Sequence, residues 1–375
     1  MSSRAETLPN PLEIMVKNAH RQRYDFLIIG QGLAGSLLAW QLWQNGAKIL
    51  VADKGAGNAS KVAAGLISPV TGKRWVKTQG FEHLLGNART SYAQLETDLG
   101  VKLWHDHALL RLYHDEAERD LADRRTQDAA YQEYLGQESA PGEAGFGLAD
   151  DFGGRWILQA AHLATTPLLN RLRVWLEASD AYRQISLDHG GLVMDPSGIR
   201  WSDIQADRAI FCEGWRVIHN PWFAKLPWQP SQGEILTLSC QSILPSFPVN
   251  RGIWLLPEKH GICRIGATYR WQPLLEQPTT AGSDYLLTAF QQLFRQPPQA
   301  RCIAKDAGIR PNTLDHLPIL GPHPRFPQLI LCNGFGSKGS LYAPWCSKLL
   351  SEHLTQGVPI PADLNIERYR AHLVD

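Results

Sequence analysis

Gly30-Gln31-Gly32-Leu33-Ala34-Gly35 follows the apolar run Tyr24-Asp25-Phe26-Leu27-Ile28-Ile29 and opens an apolar stretch of helical spacing that lasts to about Asn45. Gly30 permits a tight exit from the strand, Gly32 lets the backbone approach a pyrophosphate, and Gly35 lets the helix pack closely on the sheet. Leu33 and Ala34 begin that helix, whose unpaired N–H groups and positive dipole end face the same pyrophosphate. Lys48-Ile49-Leu50-Val51-Ala52 reads as a second buried strand ending at Asp53. That carboxylate stands about twenty residues beyond the glycines, where it can accept ribose hydroxyls. The unit is a βαβ cradle for a dinucleotide and predicts an α/β fold.

A chain of 375 residues with 44% hydrophobic and 19% charged side chains can bury a substantial core, in two domains or one large one. Lys and Arg number 37 against 36 for Asp and Glu, so no global field favours nucleic acid, a membrane surface or a highly charged partner. The six cysteines, Cys212, Cys240, Cys263, Cys302, Cys332 and Cys346, form no CxxC or Cys/His pattern and read as buried thiols of a reducing compartment. Residues 1–23 are polar, lack the apolar core of a signal peptide and read as a flexible arm. No run reaches the length of a membrane span, so the expected location is the cytoplasm.

Ser60-Lys61-Val62-Ala63-Ala64-Gly65-Leu66-Ile67-Ser68-Pro69 is rich in small side chains, which allow the backbone to approach something flat or bulky. Helices are expected over Gly80 to Leu99, Asp115 to Leu135 (charged and exposed), from Thr165-Thr166-Pro167 onward, Ser283 to Phe294 and about Ala343 to Leu354. Strands are expected at His107 to Tyr113, Tyr182 to Leu187, Ala209 to Cys212 and Leu329 to Cys332. A meander is expected at Glu234 to Leu238, Gly252 to Leu256 and Gly261 to Thr268. The α/β segments enclose segments of meander character, which predicts a discontinuous nucleotide-binding domain with an inserted antiparallel β-rich substrate domain, α+β overall. The expected spans are 24–80, 158–228 and 304–375 for the first, and 81–157 and 229–303 for the second. His105-Asp106-His107 would place two histidines on one face of a strand with nothing else converging, so no metal is assigned. Gly72-Lys73-Arg74 lacks the spacing of a P-loop, and Ser337 lacks the frame of a nucleophile elbow.

The glycine cradle with Asp53, the Ser60 to Pro69 segment, Ala209 to Trp215, Leu255 to Thr268, and Ala307-Gly308-Ile309-Arg310-Pro311 through Gly339 together resemble the D-amino-acid oxidase family of flavoenzymes. That group includes glycine oxidase, sarcosine oxidase and the flavin domain of a bifunctional tRNA wobble-uridine modification enzyme. The resemblance runs from residue 24 to about 357 and implies a Rossmann-like FAD-binding domain. By position, it implies that Gly30, Gly32, Leu33, Ala34 and Gly35 hold the pyrophosphate and Asp53 the adenosine ribose, with Lys54 beside it. Ser60, Ala63, Ala64 and Gly65 would border the phosphates and the flavin edge, Ile185 would offer backbone contacts to adenine, and Gly214 would pack on the pyrophosphate side. Gly336, Ser337, Lys338 and Gly339 would reach the pyrimidine end of the isoalloxazine, where N–H groups and an ammonium stabilise the negative charge of reduced flavin.

Arg310, before Pro311, resembles the family's carboxylate anchor, and a guanidinium fork suits a carboxylate. The alternative is a structural ion pair, with Asp315 as the candidate partner. No cysteine stands at 308 or 309, where the sarcosine oxidase branch carries its flavin-linking thiol, so FAD is expected to be noncovalent. Lys73 and Arg74 either bind an acidic substrate or form a solvated turn. The implied activity is oxidation of a C–N bond of a small amine or amino acid by hydride transfer to flavin N5, with Arg310 and Lys338 at the chemistry. A flavin oxidase of an aminomethyl-type modified tRNA base and a non-catalytic flavin-binding protein are the alternatives, although nucleic acid is not expected as a partner. The electron acceptor is open, oxygen among the candidates, as is the oligomeric state.

Overall fold

The computed structural model describes residues 23–55, 57 and 59–374; the arm expected over 1–23 lies outside them except for Arg23, which begins the first strand. Strand β1 (Arg23–Ile29), helix α1 (Leu33–Gln44) and β2 (Ile49–Asp53) form the opening βαβ unit. Helix α2 (Phe81–Leu99), β3 (Trp104–Leu112) and β4 (Gly154–Leu163) follow. The chain returns through α3 (Thr165–Ala178), β5 (Tyr182–Gln184), β6 (Leu192–Asp195), β7 (Gly198–Trp201) and β8 (Ile204–Phe211). It leaves again for β9 (Ser231–Cys240), β10 (Val249–Arg251), β11 (Ile253–Pro257), β12 (Ile262–Gly266) and α4 (Thr280–Gln292). It ends with β13 (Ala300–Arg310), β14 (Ile319–Pro322), β15 (Leu329–Asn333) and α5 (Gly339–Gln356).

Strands β15, β8, β1, β2 and β5 lie parallel at the centre of the first sheet, with β7 and β14 joined antiparallel. Phe26 and Ile28 point into a core shared with α1 and α5, whereas Leu27 and Ile29 point into a second core with Val217 and Phe223. Burial on both faces is why these strands are continuous apolar runs. The second sheet has the order β13-β9-β12-β11-β10-β3-β4 with Leu66–Ile67 beyond β4, and is antiparallel except where β10 meets β3. Helix α4 covers part of one face through Leu286 and Phe290. No helix among the described residues is long and apolar enough to cross a membrane.

The expected boundaries need correction. Breaks at 157/158 and 303/304 fall inside β4 and β13, and β13 is hydrogen-bonded along β9, so residues 304–310 belong to the second sheet. The helix expected over Asp115 to Leu135 stops at Thr126, because Asp128 caps a new turn at Ala129–Tyr131 and Leu135–Ser139 pairs with β4. Helix α4 starts earlier than Ser283, since Thr279 is its cap and the buried carboxylate of Glu234 holds the Thr279 N–H and hydroxyl. Cys302 is half-buried rather than buried.

Helix α5 also begins earlier than Ala343 and carries Pro344 in its interior. Pro344 has no N–H to give the carbonyl of Ser340 one turn back. The fully buried Tyr92 of α2 donates its hydroxyl to that oxygen at 2.9 Å, so a side chain replaces the missing backbone donor. Tyr92→Phe is expected to leave the Ser340 carbonyl buried and unsatisfied, lowering stability by about 1–3 kcal/mol. Urea unfolding of the two proteins checks this, and equal midpoints would mean that the carbonyl finds another donor.

Candidate active site

The cradle is built from backbone packed on backbone. Gly30 has φ of 106°. A Cβ on Gly35 would fall on the Gly30 carbonyl oxygen and lie 3.3 Å from Cys212 Cβ. Several N–H groups at this turn already have acceptors. Gly30 donates to Ala52 O at 2.8 Å, Gln31 to Asp53 Oδ2 at 2.9 Å and Leu33 to Ser60 Oγ at 3.1 Å. The N–H groups of Gly32 and Ala34 have no protein acceptor among the described residues, and both residues line a cavity of about 400 Å³. A helix N-terminus with unspent donors is an anion site.

Asp53 also accepts from Gly55 N at 2.7 Å and lies 3.4 Å from an Arg173 Nη on α3. Arg173 reaches Gln31 Oε1 as well and stacks on Tyr182, its guanidinium carbon 3.6 Å from the ring centroid. Nothing in the local sequence announced this clamp, because α3 lies far along the chain. Gly30, Gly35, Asp53, Lys54 and Ile185 do not border the cavity itself. Ile185 is partly exposed, and its N–H is committed to Asp53 O at 2.9 Å, so only its carbonyl is available to a ligand.

Ser60, Ala63, Ala64 and Gly65 do line the cavity. Their segment is tied down from two sides: Arg264 donates to the carbonyls of Val62 and Ala63, and Thr165 Oγ1 to Ala63 O at 3.0 Å. Gly214, at φ of 60°, lines the cavity on the β8 side. Gly336, Ser337, Lys338 and Gly339 close it from the start of α5. Lys338 is half-buried, pairs with no carboxylate among the described residues, and burial holds its pKa below the usual lysine range.

Arg310 reaches the cavity wall from the edge strand β13, whose end meets the same turn through the Gly336 N–H on Pro311 O at 3.3 Å. Its Nη2 donates to Thr268 O at 3.3 Å, its guanidinium carbon stands 5.1 Å from the Tyr269 ring centroid, and its Nη1 is buried without a partner among the described residues. Burial lowers its pKa. The side chain crosses β9 over Gly233, where a Cβ would fall on the guanidinium. Glycine inside a strand is the sequence signal for such a close approach. Asp315 is engaged elsewhere, by Arg368 at 3.1 Å and Tyr369 at 2.7 Å. Lys73 and Arg74 are exposed and do not border the cavity, so they form a solvated turn.

The histidine pair is not isolated on its strand. The register of β3 with β4 sets His162 against both residues, stacked on His105 with centroids 4.6 Å apart and with Nδ1 3.2 Å from His107 Nε2. Burial and mutual repulsion push the His162 pKa down to about 4. Among the described residues, no three His, Cys, Asp or Glu side chains are disposed to hold a metal ion.

Comparison with known proteins points the same way as this geometry. Residues 25–353 match the model of a family described as FAD dependent oxidoreductase. The chain is 24% identical to a glycine oxidase of Pseudomonas aeruginosa over 89% of its own length and 95% of that protein. It is also 24% identical to a tRNA 5-methylaminomethyl-2-thiouridine biosynthesis bifunctional protein of Marinobacter nauticus, covering 90% of this chain and 56% of that one. The fold is that of the glycine oxidase of Geobacillus kaustophilus, with a TM-score of 0.78 at 23% identity over 91% of this chain and 97% of the other. It is similarly that of an iminodiacetate oxidase of Chelativorans sp. BNC1, with a TM-score of 0.75 at 24% identity over 92% and 98%. FAD fits the residues present: the cradle keeps two N–H donors for phosphate oxygens, and Lys338 and Arg310 face the same cavity without an acid partner among the described residues.

Proposed function

The chain belongs to the FAD dependent oxidoreductase family, and on that premise we propose that it holds FAD noncovalently and oxidises the C–N bond of a small amine or amino acid. FAD, when bound, supplies the two-electron acceptor that takes a hydride at N5. The protein's part is to bind and orient. Gly32 and Ala34 would give their N–H groups to the pyrophosphate, and Asp53 keeps about one lone pair for a ribose hydroxyl beyond those used by Gln31, Gly55 and Arg173. Lys338 and the N–H groups of the Gly336 to Gly339 turn would hold negative charge at the pyrimidine end.

One observation carries the substrate reading. Arg310 is a buried guanidinium at the wall of the cavity, without a carboxylate partner among the described residues and with Nη1 unsatisfied by them. A buried cation is ordinarily paired. A carboxylate brought in by the substrate supplies the pairing and fixes the neighbouring carbon for reaction, and such orientation contributes much of a rate gain. Anaerobic bleaching of the flavin by a panel of glycine, N-alkyl glycines, larger amino acids and amines lacking a carboxylate tests this. Bleaching confined to the uncarboxylated amines would overturn it.

Two features support noncovalent attachment. Gly308 packs against the Ala59–Val62 turn, a Cβ there lying 3.1 Å from Ala59 Cα. Cys212, which does border the cavity, has its thiol pKa raised by burial and by Cys332, away from the reactive thiolate. Acid precipitation is expected to leave the yellow colour in the supernatant, and flavin retained in the washed pellet would mean a covalent bond. The free thiols of all six cysteines support a reducing compartment such as the cytoplasm.

A further inference from the structure

The floor of the cavity is a row of residues set in register across the second sheet. Arg111 on β3 stands beside Asn250 on β10, Asn250 beside Trp254 on β11, Trp254 beside Gly266 on β12, and Gly266 beside Ile235 on β9. Directly opposed residues share a face of a sheet, and Arg111, Asn250, Trp254 and Ile235 all line the cavity. Gly266 lets Trp254 lie across the row, since a Cβ there would come 2.5 Å from the indole Cζ2. Gly233 performs the same service for Arg310 two residues from Ile235. An apolar indole therefore separates two polar ends.

The far end has donors to spare. The amide of Asn250 pairs with no group among the described residues. Arg111 gives Nε and Nη2 to Glu118 Oε1, at 3.1 and 2.6 Å, and Nη1 to Gly72 O at 3.0 Å. Its guanidinium carbon lies 4.1 Å from the centroid of the Trp75 ring, which fixes the plane. A guanidinium carries five N–H donors, so two remain unassigned by these contacts.

We propose that Asn250 and Arg111 form a second recognition subsite, for a carboxylate at the end of a tail carried by the substrate. Trp254 packs the apolar stretch between it and the carboxylate on Arg310. The proposal rests on the reading of Arg310 as the anchor of the first carboxylate, and it makes the preferred substrate a dicarboxylic amino acid. Strands about 4.8 Å apart put Asn250 three spacings from Ile235, and the two further residues along β9 to Gly233 beneath the Arg310 head make the span roughly 16 Å of sheet. Glycine is too short to use both ends, so the tail spans several carbon–carbon bonds.

Unreactive straight-chain acids titrated into the FAD-loaded enzyme, followed by the shift they cause in the flavin spectrum, test the subsite without turnover. Dicarboxylic acids long enough to reach Asn250 are expected to bind about tenfold more tightly than monocarboxylic acids of the same length, the gain of a charge-assisted contact. Asn250→Leu keeps the shape and removes one of the two donors, so the ratio of the two affinities falls several-fold, with Arg111 holding the remainder. Asn250→Asp sets a carboxylate against the ligand's own and makes the diacid the weaker binder. Equal binding of diacids and monoacids by the wild type, or a ratio that survives Asn250→Leu undiminished, would overturn the subsite. Arg310→Ala keeps the two failures apart: it should weaken both series and preserve their ratio. If it weakens neither, the anchor reading has failed while the ratio still reports on Asn250.

Discussion

Gly35→Ala is expected to give protein that retains no flavin and is recovered in little soluble form. The added methyl would fall on the carbonyl oxygen of Gly30, with the Gly30 carbonyl carbon at 3.1 Å and Cys212 Cβ at 3.3 Å. The first two belong to the backbone at the end of β1, so no rotamer change makes room. Helix α1 would have to lift from the sheet, opening the core around Leu37 and Leu38, which are almost completely buried. Forced overpacking of this kind costs about 1–3 kcal/mol or more. The same movement carries Gly32 and Ala34 away from the position where their N–H groups meet the pyrophosphate, so the stabilisation that bound FAD adds by mass action is lost as well. Gly86→Ala is the control, because a Cβ at Gly86 in α2 meets nothing within 4 Å and no positive φ is involved. That change is expected to stabilise by up to about 1 kcal/mol through helix propensity. Flavin-to-protein absorbance ratios and thermal midpoints of the two variants check the pair. A fully yellow Gly35→Ala protein would show that the close approach of helix and strand is dispensable.

The opening unit was legible because its information is local: β1 and β2 are buried on both faces and read as apolar runs, and the glycines between β1 and α1 sit where the turn needs them. Strand β13 was not legible as a strand. It is a sheet edge, mostly exposed between Ala300 and Asp306, so it lacks the alternation that a covered strand shows. The domain boundary was therefore drawn through it. The start of α5 was obscured by Pro344, whose tolerance depends on Tyr92 from another helix. Site residues divide in the same way. Arg310 was visible from its Arg-Pro context, whereas Gly233, Tyr269 and the Arg173 clamp on Asp53 reach the site through strand register and helix packing, which no local window contains. His162 escaped notice for that reason too, since only the pairing of β3 and β4 sets it against His105 and His107.

Arg310→Ala is expected to separate catalysis from stability. A charge-assisted contact to a carboxylate contributes about 1.5–3 kcal/mol, so flavin reduction by carboxylate-bearing amines should fall on the order of ten- to a hundredfold, more where orientation is lost too. Arg310→Lys should recover only part of this, because an ammonium keeps the charge without the planar fork. Amines without a carboxylate should be nearly indifferent to either change. Stability should move in the opposite sense. In the ligand-free enzyme Arg310 is a buried cation with no acid beside it among the described residues and with Nη1 unsatisfied, a cost of burying charge that the alanine variant does not carry. Its thermal midpoint, measured without substrate, is expected to rise. A structural ion pair would behave the other way, since losing one partner strands the other and lowers the midpoint. Asp315, the acid that such a pair would need, is already held by Arg368 and Tyr369. Equal loss of activity toward carboxylated and uncarboxylated amines, together with a lowered midpoint, would remove Arg310 from substrate recognition and return it to the scaffold.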